Sequence, residues 1–140
     1  MRQLMSTKIF VNLPVKDLGK STDFFTKLGF SFNQQFSDEN AGCLVISDDI
    51  SVMLLVEPFF KTFTKKDIAD ATTSTETILA LGVESKDRVD ELVDQALAAG
   101  GRPANDTDDQ GFMYGRSFQD PDGHIWEVLY MDPTAVQEQA

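Results

Sequence analysis

Between residues 111 and 130, one carboxylate, Glu127, stands among apolar neighbours on what reads as the second of two strands. The tight turn Asp120-Pro121-Asp122-Gly123 joins the two. In an aromatic, partly dry setting, desolvation favours the neutral form of a carboxylate. Such a group suits the role of general base, or of acceptor for a donor on a ligand. Tyr114 and Arg116 share one face of the first strand, because side chains alternate with a period of two. The hairpin lays that strand beside Glu127, so an Arg116–Glu127 contact is expected. It is either a structural ion pair or the polar pair of an otherwise apolar pocket, the usual pattern of small-molecule sites, to which Tyr114 adds a hydroxyl.

The other reactive side chains read as structural. His124, the only histidine, follows the turn directly. It lies three residues before Glu127, so on a strand it points the other way and reads as a turn or surface histidine. Trp126 alternates away from Glu127 and reads as core. Cys43, the only cysteine, sits in the apolar run Cys-Leu-Val-Ile and reads as buried filler. No nucleophile elbow, glycine-rich phosphate loop, HExxH or paired cysteine occurs.

Composition narrows the function classes. A chain of 140 residues suits one compact domain or two small halves sharing a core. The net charge of −11 repels phosphate backbones and anionic lipid, so neither nucleic acid nor a membrane is expected as partner. No window approaches the ~18 apolar residues of a membrane span. One cysteine allows no intrachain disulfide, which fits a cytoplasmic protein. Residues 1–8 lack the apolar stretch of a leader, and Met5 is a second candidate start. Eleven phenylalanines predict an aromatic-rich core or pocket.

The elements that must position Glu127 read as one unit used twice. Residues 8–15 alternate as a strand. Asp17 caps a helix over 18–28, with Phe24, Phe25 and Leu28 on its apolar stripe and Gly29 as its stop. Strands over 31–36, 42–47 and 50–57 follow. Residues 58–74 hold Phe59, Phe60 and Phe63 without clear period, with a short helical turn near 67–71. They read either as a linker whose aromatics pad the core or as a lid or dimer arm. Then come a strand over 75–83, a helix over 86–99 capped by Ser85 and ended by Gly100-Gly101, a short strand over 102–105, a polar loop over 106–110 and the hairpin. The expected fold class is α+β: two tandem βαβββ repeats, 7–57 and 75–132, with curved mixed sheets around a cleft. Phe10, Asn12, Met53, Leu55, Ile78, Ala80, Glu127 and Leu129 face the cleft, and Glu127 is the one ionisable group among them.

This plan resembles the vicinal oxygen chelate superfamily, which includes glyoxalase I, extradiol dioxygenases, fosfomycin-resistance transferases and bleomycin-binding proteins. The leading Leu13-Pro14-Val15-Lys16-Asp17-Leu18, the helix end Ala98-Ala99-Gly100-Gly101 and the closing Phe118-Gln119-Asp120-Pro121-Asp122-Gly123-His124 with Glu127 carry the resemblance. It implies a divalent metal on four cleft-facing positions, typically His or Glu, one on the first and last strand of each half. Here those positions are Phe10, Met53, Ile78 and Glu127. One carboxylate cannot offset the dehydration of a divalent ion, so no metal and no cofactor is expected. The resemblance also implies a homodimer. The expected function is metal-free binding of a small apolar or aromatic molecule through Phe10, Asn12, Met53, Leu55, Ile78, Tyr114, Arg116 and Glu127. The alternatives are a lyase or dioxygenase-like enzyme using Glu127 as catalytic base or metal ligand, and a scaffold without ligand chemistry.

Overall fold

The computed structural model describes residues 6–134. Met5 as a start, and most of the stretch searched for a leader, lie outside them. Two compact units divide between Ile68 and Ala69.

The first unit carries a four-stranded mixed sheet. Strand β1 (Ile9–Val15) leads into helix α1 (Leu18–Lys27), then β2 (Ser31–Phe32), a single helical turn at Gln34–Phe36, β3 (Ala41–Val45) and β4 (Ile50–Val56). The strand order is β1-β4-β3-β2, with β1 parallel to β4 and the other pairs antiparallel. Asp17 caps α1 as expected, its side chain accepting from the Lys20 N–H at 3.0 Å. Ser21, Phe24, Phe25 and Leu28 form one stripe at helical spacing and are all buried. They face Leu13, Leu44, Val52 and Leu54, a set that the strand register places on one side of the sheet.

The second unit repeats the order. Strand β5 (Ile78–Gly82) leads into its helix, which we label α3 because a short helix α2 (Glu57–Phe60) precedes it. Helix α3 spans Lys86–Ala98, capped by Ser85 accepting from the Arg88 N–H at 3.0 Å. Then follow β6 (Arg102–Pro103), β7 (Asp108–Asp109), β8 (Met113–Gln119) and β9 (Ile125–Met131). The order is β5-β9-β8-β6, with β7 also paired to β8 and β5 parallel to β9. Val89, Leu92, Val93 and Ala96 repeat the buried stripe of α1 and pack on Phe118, Trp126 and Val128. The rings of Phe118 and Trp126 stack in parallel at 6.4 Å. Trp126, with no exposed surface, is core as expected.

Three expected elements differ. The strand over 31–36 lasts two residues and then winds into the turn at Gln34–Phe36, where Asn33 accepts from the Gln35 N–H at 3.0 Å. The helical turn near 67–71 lies earlier instead, in α2 and the single turn Lys61–Phe63 that follows it. Pro58 sits in the first turn of α2, where its missing N–H costs no helical bond. The polar loop 106–110 contains the edge strand β7.

Candidate functional site

The sheet of the second unit has one face on α3 and one face turned away from it. Register assigns every side chain to one or the other. Across β5, β9 and β8, Ala80, Glu127 and Ser117 form one row. The row on one side of it is Ile78, Ile125 and Gln119, continuing to Arg102 on β6. The row on the other side is Gly82, Leu129 and Gly115, continuing to Asp108 on β7. Glu127 therefore stands on a floor of small residues. Ala80 and Ser117 flank it directly, Gly82 and Gly115 lie diagonally on one side and Ile78 and Gln119 on the other, and Ile125 and Leu129 rise along its own strand. The Ser117 hydroxyl is engaged, accepting from the Asn105 N–H at 2.8 Å. Glu127 is half-buried, and among the described residues no hydrogen bond or ion pair reaches its carboxylate.

In the first unit the same rule groups Phe10, Asn12, Met53 and Leu55 on the face opposite α1. Phe10 is 50% exposed and Met53 half-buried. Leu55 is buried at the end of β4, just before α2, which packs against β1 and β4. The Asn12 amide donates to the Phe10 carbonyl of its own strand at 3.3 Å. Ile78, on β5 in the second unit, is 46% exposed.

Two expected site residues lie elsewhere. Tyr114 and Arg116 are on the α3 face, because Arg116 is paired with Val128 and Tyr114 with Tyr130. The expected Arg116–Glu127 contact is not formed, since Glu127 is opposite Ser117. Arg116 instead binds two carboxylates of α3, Asp90 at 2.9 Å and Asp94 at 3.0 Å. The Tyr114 hydroxyl donates to Asp90 at 2.6 Å, and Lys86 lies 5.9 Å from the centre of the Tyr114 ring. The hydrogen bond from Tyr114 is the largest influence holding Asp90 below its ordinary range; desolvation opposes it and Arg116 reinforces it. The same bond raises Tyr114. These groups fasten a helix to its sheet.

A residue that sequence reasoning passed over is Asp120. It is 4% exposed, and its carboxylate accepts from the Asp122 and His124 N–H groups and the Trp126 indole N–H, each at 3.0 Å. Burial pushes its carboxyl upward, opposed by the charge of His124 and by those donors. The three donors draw His124 into the turn, whose ends close through Asp120 N–H to the His124 carbonyl at 3.0 Å. An aspartate ahead of Pro-Asp-Gly was the available signal, since such side chains capture N–H groups two residues on.

The four positions that the resemblance assigns to metal ligands hold one donor. In the first unit they are Phe10 and Met53, neither of which binds a hard divalent ion. In the second they are Ile78 and Glu127. Among the described residues, no group of three His, Cys, Asp or Glu side chains comes together as a metal site. The donor set does not fit the superfamily's metal. A shallow recess of about 440 Å3 beside α1, lined by Leu18, Thr22, Asp23 and Asp38 among others, is remote in sequence from Glu127 and offers no reacting pair.

Comparison with known proteins finds the family model described as Glyoxalase/Bleomycin resistance protein/Dioxygenase superfamily matching residues 9–128. No curated protein matches. A hypothetical protein of S. aureus is 31% identical over 91% of this chain and 96% of its own, with a TM-score of 0.75. The fosfomycin resistance protein FosX from Listeria monocytogenes is 20% identical, covering 91% and 92% of the two chains, with a TM-score of 0.64. The bleomycin resistance determinant encoded on transposon Tn5 is 18% identical, covering 91% and 99%, with a TM-score of 0.62.

Proposed function

Because the chain belongs to the glyoxalase/bleomycin resistance protein/dioxygenase superfamily, we propose that it binds a small apolar or aromatic molecule over the sheet faces turned away from α1 and α3, without a metal ion. The observation that carries this is the content of the four ligand positions: Phe10, Met53 and Ile78 are apolar, and Glu127 alone is a donor. Apolar side chains at such positions remove water from a ligand's hydrocarbon or ring surface, and in the second unit the Glu127 carboxylate orients a polar end. Phe10 and Ile78 remain half exposed, which leaves their surface free to be covered. Two structural relatives are named for resistance to fosfomycin and to bleomycin; their likeness to this chain is one of fold. A cytoplasmic homodimer completes the reading, supported by the buried single cysteine and by the apolar side chains left exposed on each unit.

A second reading is favoured by one observation, the unpartnered state of the Glu127 carboxylate. A general base must be free to reach its proton, and Glu127 meets that condition. In this reading Glu127 takes a proton from an apolar substrate lying on the small-residue floor, and Glu127→Gln abolishes turnover while binding persists.

Elemental analysis of tag-free protein, as purified and after incubation with nickel, zinc, manganese and iron(II), tests the metal-free reading. We expect less than a tenth of an equivalent retained on the order-of-magnitude ground that one carboxylate cannot offset dehydration. A stoichiometric metal that disappears in Glu127→Gln sinks it.

A further inference from the structure

The surroundings of Glu127 on its own sheet narrow the chemistry of what binds there. Among the described residues its carboxylate is half-buried and unpartnered, and the side-chain donors that flank it on that face are engaged elsewhere. Ala80 and the glycines have no donor side chain, Ile125 and Leu129 are apolar, the Ser117 hydroxyl donates to the Asn105 carbonyl at 3.4 Å, and the Gln119 amide donates to the Pro103 carbonyl at 3.0 Å. Among the described strand residues, the other charged groups on that face are Arg102 and Asp108, both on strands beyond β8. Arg102 lies one row away, opposite Gln119, and makes no ion pair among the described residues. Asp108 lies one row away on the other side, facing Gly115 and held by Gln110 at 3.2 Å. Arg102 and Asp108 offset each other, so the net charge at the floor is that of Glu127, on a chain of net charge −11. A carboxylate or phosphate on a ligand would meet repulsion there, and a neutral polar group would leave the charge uncompensated.

We infer that the polar end of the ligand is a cation, a protonated amine or an amidinium, which pairs with Glu127 while an apolar or aromatic body lies over the small-residue floor against Ile78, Ile125 and Leu129. This rests on the binding function proposed above and adds the sign of the ligand's charge. The floor suits a flat body. Ala80, Gly82, Gly115 and Ser117 raise little above the backbone, and a Cβ built on Gly82 meets nothing within 4 Å.

Three probes of one shape test it: 2-phenylethylamine, 2-phenylethanol and 3-phenylpropionate, titrated into wild type, Glu127→Gln and Ala80→Phe and followed by NMR chemical shifts. Ala80 is exposed, so the larger ring is accommodated without entering the core, and it covers the floor. The amine should bind wild type about tenfold more tightly than the alcohol, as a charge-assisted hydrogen bond allows. The carboxylate should bind most weakly. Glu127→Gln should bring amine and alcohol within about twofold of each other, and Ala80→Phe should weaken all three. High salt should weaken the amine alone. If amine and alcohol bind alike in wild type while Ala80→Phe weakens both, the inference about charge fails and the site stands. If no probe saturates, or if neither substitution changes binding, the binding site itself is refuted and the inference falls with it.

Discussion

At the scale of single residues, Asp90 shows how a side chain that looks free in the sequence acquires a role. It accepts from the Tyr114 hydroxyl and from Arg116, and its carboxyl is held below the ordinary 3.8, first by that hydroxyl, against desolvation, and then by Arg116. A carboxylate whose folded value is depressed contributes stability that is fully present above its unfolded value and lost as pH falls through the folded one. Because Asp90 remains 45% exposed, solvent screens much of this contribution and it is small. Asp90→Asn should therefore lower the denaturation midpoint at pH 7, read from the fluorescence of the single tryptophan. The gap to wild type should narrow as pH drops below 3.8. A gap that stays constant across that range would show that the charge of Asp90 is irrelevant. The partners of Arg116 were hidden from the sequence by a single residue. A four-residue turn at 120–123 aligns Arg116 with Glu127. The turn closes between Asp120 and His124 instead, so Gln119 is opposite Ile125 and Arg116 opposite Val128. One residue of register exchanges the two faces of a strand, and here Asp120, by capturing the His124 N–H, sets that register.

At the scale of elements, the closing hairpin is docked as well as formed. Gly123 has φ +90°, and a Cβ on it would lie 3.0 Å from the Ala71 carbonyl oxygen and 3.1 Å from Thr72 Cα. The turn that carries Ala71 is itself braced by Asp70, whose carboxylate accepts from the Thr72 N–H at 2.9 Å and whose carbonyl accepts from the Thr73 and Ser74 N–H groups. Both sides of this contact are backbone, so neither can swing away. Gly123→Ala must bear a left-handed conformation, about 1–2 kcal/mol, together with that overlap, so a loss of about 2–4 kcal/mol is expected. Urea denaturation measures it. A loss below about 1 kcal/mol would mean that the 71–72 turn yields. The elements that the sequence made legible carry local chemical marks: Asp17 and Ser85 at helix starts, Gly29 and Gly100 at helix ends, and buried stripes at i, i+3, i+4 and i+7 on both helices. Those that it hid are too short for a period. Strand β7 has two residues, and α2 is a single turn with a proline in it that also reads as a breaker, while β2 and β6, expected over 31–36 and 102–105, shrink to two residues each. The face of Glu127 was legible because a period of two survives small errors at strand ends. The face of Arg116 relative to it was not, because that depends on the loop between them.

At the scale of the whole molecule, two global properties oppose each other in the proposed homodimer. Each chain carries a net charge of −11, so two copies repel at every approach. Ile9 and Ile50 in one unit, and Met131 in the other, leave large apolar side chains at 40–54% exposure outside the proposed ligand contacts, and burying them is the available attraction. The repulsion is a screened Coulomb effect with a range of about 10 Å at 0.1 M salt and about 3 Å at 1 M. Apolar burial is not weakened by simple salt. Self-association through these side chains should thus strengthen as salt is added. Sedimentation of the 15.6 kDa chain should show the dimer fraction rising between low and high salt at fixed protein concentration. Ile9→Ser, which removes the most exposed of these side chains and none of the candidate ligand contacts, should reduce it at every salt level. A dimer that dissociates as salt rises would be held by ion pairs, and the apolar interface would be wrong. The same titration separates assembly from ligand binding. Salt should favour association of two anionic chains, and it should disfavour the pairing of a cationic ligand with Glu127 on each of them.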